Sequence, residues 1–202
     1  MANIAPLDRT DVPEFEPVFE IVEAAMGFVP RSMFTMGRNP ALLRAFGQLS
    51  FTVLGPGRVD GGLKQLVAHV ASTAAGCRYC QAHTASSATR NGVDAEKVEA
   101  VWAFDTDDRF SDVERAALRL ARDAAAVPNA TTAEHFADLS GHFDDEQIVE
   151  LVAVISLFGW LNRWNDTMAT DLEDEPLGFG RDHLAPQGWS PGKHAQPLPV
   201  TT

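Results

Sequence analysis

The sequence predicts an all-α protein, and three observations lead there. Apolar residues recur at i, i+3, i+4 and i+7 in stretch after stretch, the spacing that lines up one face of an α-helix. Cap residues and breakers bracket those stretches, with Ser, Thr, Asp or Asn before them and Gly or Pro after. No segment alternates apolar and polar residues with the period of two that a half-buried strand needs.

The first ten or so residues show no period and read as a loose arm. From Pro13 to Met26, Phe15, Val18, Phe19, Val22 and Met26 share a face, and Gly27 ends the helix. Asn39 followed by Pro40 reads as an N-cap with proline at the first helical position, where no N–H is needed. That helix turns Leu42, Leu43, Phe46, Leu49 and Val53 inward and stops at the Leu-Gly-Pro-Gly run of residues 54–57. Leu63, Leu66, Val67, Val70, Ala71 and Ala74 mark the next helix, which runs to Gly76. Another begins around Cys77–Cys80 and ends at Asn91-Gly92, and Asp94 caps a short helix through Trp102. Ser111-Asp-Val-Glu114 is a capping box, and Thr131-Thr-Ala-Glu134 repeats the signal before a short helix. Asp144 opens the longest helix, about Asp145 to Asp171, whose middle is apolar on nearly every side and belongs at the centre of the fold. Beyond it the chain is polar and rich in Pro and Gly. A chain of 202 residues is expected to be one domain, its core at about 13–172 and residues 173–202 an irregular C-terminal arm.

Acidic residues outnumber basic ones 28 to 16, a formal charge of −12, so nucleic acid and anionic membranes are repelled and are not expected partners. Small molecules and other proteins are. The N-terminus has no long apolar run of secretory type, and a cytoplasmic protein is expected. The most apolar stretch, Ile148 to Leu161, is too short to span a bilayer and contains Glu150.

Sliding the chain against itself aligns Gln65-Leu-Val-Ala with Glu150-Leu-Val-Ala, an offset of 85 residues (150 minus 65). At the same offset Cys77 falls on Asn162, Cys80 on Asn165 and His83 on Met168. A repeated helix-break-helix unit is the expectation, with thiols kept only in the first copy.

Chemistry concentrates in that copy. Cys77 and Cys80, the only cysteines, are spaced Cys-x-x-Cys with Gly76 before them and His83 three residues after. Thiols three apart on a helical first turn share a face, with Cβ atoms ~5–6 Å apart, within reach of a disulfide. A helix N-terminus stabilises a thiolate, and His83, one turn after Cys80, is placed to take its proton or pair with it. Two other readings stand beside this redox one. The stretch offers zinc three ligands where a structural site needs four, and buried cysteines can be plain core.

The stretch Gly76-Cys-Arg-Tyr-Cys-Gln-Ala-His83-Thr resembles the signature of the carboxymuconolactone decarboxylase superfamily, specifically its alkylhydroperoxidase D-like branch. The Leu-Val-Ala-x-Val-Ala helix before it and Phe158-Gly-Trp-Leu-Asn-Arg-Trp-Asn-Asp166 fit as well. The resemblance implies an all-helical fold of repeated units, usually a homo-oligomer. It implies a peroxidase in which Cys80 attacks the peroxide and becomes a sulfenic acid, Cys77 resolves it as a redox-active disulfide, and His83 relays the proton. No bound cofactor is implied. An external dithiol, in some members a lipoyl-bearing protein, restores the thiols.

This sequence departs from the family's pattern at two points. The family usually carries a glutamate twelve residues before the first cysteine, where this chain has Gln65, which cannot accept a proton at neutral pH. His69, one turn later, and Glu150, at the repeat-equivalent position, are the candidates to replace it. His83 also follows Cys80 by one residue fewer than is usual, a rotation of about 100° on a helix. The alternatives carried forward are a decarboxylase or lactone-handling enzyme, and a non-catalytic oligomeric thiol sensor.

Overall fold

The computed structural model describes residues 2–195, and all regular structure among them is helical. The helices are α1 (Glu16–Met26), α2 (Arg31–Met36), α3 (Pro40–Leu54), α4 (Gly61–Ala74), α5 (Arg78–Arg90), α6 (Ala95–Glu99), α7 (Asp112–Ala125), α8 (Ala133–Ser140), α9 (Asp145–Met168) and α10 (Asp174–Phe179), joined by short 3₁₀ and π turns. None of the helices is long and apolar enough to cross a membrane.

Helix α4 lies at the centre, packed on α5, α7 and α9. Its approach to α5 is close because small side chains, Ala68 and Ala71 on one helix and Ala82 and Ala85 on the other, are all completely buried. Leu66, Val67, Leu118, Leu120 and Leu151 fill the core around them and are at most 1% exposed. Burial on this scale stabilises by about 1.5–3 kcal/mol per large apolar side chain. A second apolar cluster, Val12, Phe15, Phe19, Val29, Met33, Met36 and Leu43, ties the N-terminal segment and α1–α3 together.

Local chemistry sets most helix starts. Asn39 accepts a hydrogen bond from Leu42 N–H at 3.2 Å, Asp60 from Leu63 N–H at 3.1 Å, and Asp144 from Gln147 N–H at 3.0 Å. The box at Ser111 and Glu114 closes in both directions. The one expected at Thr131 is displaced by one residue, with His135 Nδ1 accepting from Thr132 N–H at 3.1 Å.

Three features differ from the sequence expectation. Helix α2 carries no period long enough to read in six residues. The second copy of the proposed repeat has no break, since α9 runs unbroken through it and ends at Ala169, in the left-handed region at φ 49°. The C-terminal arm is not irregular throughout: α10 and short turns at Gly180–Leu184, Ala185–Gln187 and Gly192–His194 fold back on the core, while residues 196–202 lie outside the described residues. Leu172 N–H donates to His194 O at 2.7 Å, and Trp189 Nε1 donates to Arg78 O at 3.2 Å, which fastens this segment over the start of α5.

Candidate functional site

The Cys-x-x-Cys pair sits where α5 begins. Gly76, at φ 77°, takes the left-handed conformation that lets the chain leave α4 and turn directly into α5. Cys77 is the N-cap of α5, and its Sγ accepts a hydrogen bond from Cys80 N–H at 3.4 Å. Both cysteines are free thiols and both are buried.

Hydrogen bonding treats the two sulfurs differently. The Cys77 thiol is drawn below its ordinary range, chiefly by a hydrogen bond from the Cys80 thiol, with the Cys80 N–H adding to it against the cost of burial. Burial pushes the Cys80 thiol up, and donation to Cys77 pushes it further. Negative charge in the pair is therefore favoured on Cys77 over Cys80. Asn165, from α9, points Nδ2 at Cys80 Sγ at 3.5 Å, a contact that favours a charge on that sulfur. Asn165 is the residue 85 positions after Cys80, so the repeat-equivalent positions meet face to face.

Cys80, and not Cys77, is among the lining residues of a cavity of about 870 Å³ between the N-terminal cluster and the α5–α9 pair. Its walls are mostly apolar, including Val22 of α1, Met33 of α2, Phe46 of α3 and Phe158 of α9. His83 and Gln65 line the same cavity. The His83 ring stacks on Tyr79 at a centroid distance of 4.2 Å and meets the edge of Phe28 at 5.4 Å. Its Nε2 lies 2.6 Å from Glu173 Oε2. Glu173 is 7% exposed and also accepts from Tyr79 Oη at 3.1 Å and from Arg31 N–H at 2.5 Å. Burial pushes its carboxyl up, but the His83 charge and the hydrogen bonds from His83 and Arg31 N–H outweigh that and hold it below the usual carboxylate range.

Cys77, Cys80, His83 and Gln65 are thus gathered at the cavity or directly behind it, and His69 and Glu150 are not. His69 is fully buried on α4, its Nδ1–H shared between Gln81 O at 3.1 Å and Thr84 Oγ1 at 3.0 Å. Its Nε2 has no partner, and burial lowers its pKa to about 4, so the ring is neutral at physiological pH. Glu150 belongs to α9 fifteen residues before Asn165, about 22 Å along the helix axis at 1.5 Å per residue. It pairs with buried Lys64 and accepts from the N–H groups of Arg58 and Val59, each at 3.0 Å. That role is to pin the loop between α3 and α4. Glu173, the carboxylate that does reach the site, comes from a segment with no periodic signal, 90 residues after its partner. Among the described residues no group of three or more His, Cys, Asp or Glu side chains is placed to hold a metal ion.

Comparison with known proteins agrees with this architecture. Residues 40–123 match the model of the carboxymuconolactone decarboxylase family. The chain is similar to the debrominase Bmp8, solved as a Cys-to-Ala variant with 2,3,4-tribromopyrrole, at 37% identity and a TM-score of 0.85 over 90% of this chain and 97% of that one. A peroxidase-related protein from Ralstonia eutropha with an alkylhydroperoxidase AhpD core shares the fold, with 22% identity and a TM-score of 0.78 over 89% of this chain and 96% of that one. The Bacillus subtilis protein YdfG is 29% identical over 91 residues, 45% of this chain and 60% of its own length. The chain belongs to the carboxymuconolactone decarboxylase family and has the alkylhydroperoxidase D-like all-α fold.

Proposed function

We propose that this protein is a thiol-dependent reductase that passes two electrons from Cys80 and Cys77 to an apolar organic substrate, in the first instance an organic hydroperoxide. The observation that carries the reading is the division of labour in the pair: Cys80 faces a large apolar cavity while Cys77 sits behind it at the helix N-cap, its Sγ accepting from Cys80 N–H. Cys80 Sγ attacks the terminal peroxide oxygen as its proton passes through His83 to the departing alkoxide. The O–O bond breaks, the alcohol leaves, and Cys80 becomes a sulfenic acid. Cys77 Sγ then attacks Cys80 Sγ, forming the disulfide and releasing water. The sum is ROOH plus two thiols giving ROH, water and one disulfide. An external dithiol, free or lipoyl-borne, closes the cycle by exchange.

The likeness to a debrominase supports a second reading with the same leaving state. There Cys80 sulfur takes the bromine of an organic bromide, the carbon gains a proton, and Cys77 displaces bromide from Cys80 to form the disulfide. The sum is RBr plus two thiols giving RH, bromide, a proton and one disulfide. The decisive experiment incubates the reduced protein with cumene hydroperoxide or with a bromopyrrole, counting thiols and assaying released bromide. Thiol loss in wild type, a sulfenate that accumulates in Cys77→Ser, and no reaction in Cys80→Ser support the proposal. Bromide release selects the second reading over the first. If both thiols survive both substrates, the protein is not this reductase.

A further inference from the structure

We infer that Glu173, delivered by the C-terminal segment, is the positioning residue that fixes the proton on His83 and makes this imidazole the acid–base group of the cavity. The inference rests on the reductase reading for its consequence, and on geometry for its assignment. A buried carboxylate is costly unless its lone pairs are met. Glu173 meets them with three donors from two directions, Tyr79 Oη and His83 Nε2 on α5 and the N–H of Arg31 at the start of α2. Its backbone is held as well. Arg31 Nη1 donates to Leu172 O at 2.6 Å, and Leu172 N–H donates to His194 O at 2.7 Å. The carboxylate therefore stays still, and the ring that it holds, clamped between Tyr79 and Phe28, is oriented rather than merely contacted.

A carboxylate at 2.6 Å from Nε2 keeps the proton of the neutral ring on that nitrogen. Nδ1 is then the nitrogen available to a reacting group in the cavity that His83 lines. Gln65 lines the same cavity and cannot accept a proton at neutral pH, so it does not stand in for His83 there. The titratable groups facing His83 are Tyr79 in the stack, Glu173 at Nε2, and Cys80, Arg44, Arg90 and Glu14 around the cavity. Glu173 lies outside the stretch matched by the family, residues 40–123, so the C-terminal segment completes a site whose thiols that stretch supplies.

The test pairs a spectroscopic signature with a rate. In ¹⁵N-histidine NMR of the intact protein at alkaline pH, His83 is expected as the Nε2–H tautomer in wild type and as a mixture in Glu173→Gln. Single-turnover oxidation of Cys80 by cumene hydroperoxide is expected to slow by about 10–100-fold in Glu173→Gln, with recovery in Glu173→Asp and an unchanged circular dichroism spectrum. A His83 protonated at Nδ1 in wild type, or wild-type oxidation by Glu173→Gln, overturns the assignment. Should Glu173→Gln not fold, the wild-type tautomer alone decides. A wild-type protein whose thiols ignore the hydroperoxide removes the peroxidase reading and leaves the tautomer result to judge this one.

Discussion

Replacing His69 with asparagine should remove a pH dependence from folding while leaving the chemistry in place. Asn Nδ2 can keep the donor that His69 Nδ1–H supplies to Gln81 O, but it cannot titrate. In the folded protein burial lowers the His69 pKa from 6.5 to about 4, with the Gln81 hydrogen bond opposing only part of that shift. The unfolded chain takes up this proton first as pH falls, so stability from a neutral His69 is complete above pH 6.5 and is lost between pH 6.5 and about 4. At 1.36 kcal/mol per pH unit, the shift amounts to about 3 kcal/mol. Urea unfolding at half-unit steps from pH 7.5 to 4 measures it: the wild-type curve should fall relative to His69→Asn by about 3 kcal/mol across that window. Other groups, His194 included, cancel in the difference. Parallel curves would refute the argument. Because His69 bonds only to Gln81 and Thr84, thiol oxidation by peroxide should keep the same pH profile in the variant.

Four further outcomes follow from contacts described above. Cys80→Ala removes the largest influence lowering the Cys77 thiol, so the thiolate absorbance of Cys77 near 240 nm should titrate at higher pH than the first thiol of wild type. Lys64→Ala strands Glu150 together with the carbonyls of Val53 and Gly55, each 3.0 Å from Nζ, and should cost about 3–5 kcal/mol in chemical denaturation. Glu173→Gln should be less stable than wild type above pH 4.5, with the gap closing as pH falls through the lowered carboxyl value, since a depressed carboxyl stabilises only while ionised. Ser111→Ala opens the box with Glu114 and should cost about 1 kcal/mol, read as a fall in Tm.

What could be read in the sequence was local. Helices α3 and α4 show their apolar period over three turns or more, α9 its long apolar run, and the caps at Asn39, Ser111 and Asp144 lie within three residues of the N–H groups they serve. The thiol pair was equally plain, because its partners are one turn apart. The His83–Glu173 contact spans 90 residues, and nothing near Glu173 distinguishes it from its acidic neighbours Asp171, Asp174 and Glu175. Glu150 drew attention through the alignment of α9 with α4. The alignment does pair Asn165 with Cys80 in space, yet it places Glu150 at the other end of a helix that never breaks. His69 looked reactive by proximity in sequence, but its ring is turned to the α5 backbone and sealed from the cavity.

The cavity wall and the thiols have separate origins along the chain. The reacting pair lies within the stretch matched by the family, whereas Val18, Val22, Met26 and Met33, all before residue 40, supply much of the wall opposite. Val22 and Met33 belong to the N-terminal apolar cluster, which shares few side chains with the core that holds α4 and α5. Substitutions at Val18 or Val22 can reshape the cavity away from the N-cap at Cys77, whereas Phe28 and Arg31 of the same N-terminal stretch belong to the clamp around His83 and Glu173. Under the proposed function, the shape of the cavity and the chemistry of the thiols can therefore diverge at different rates.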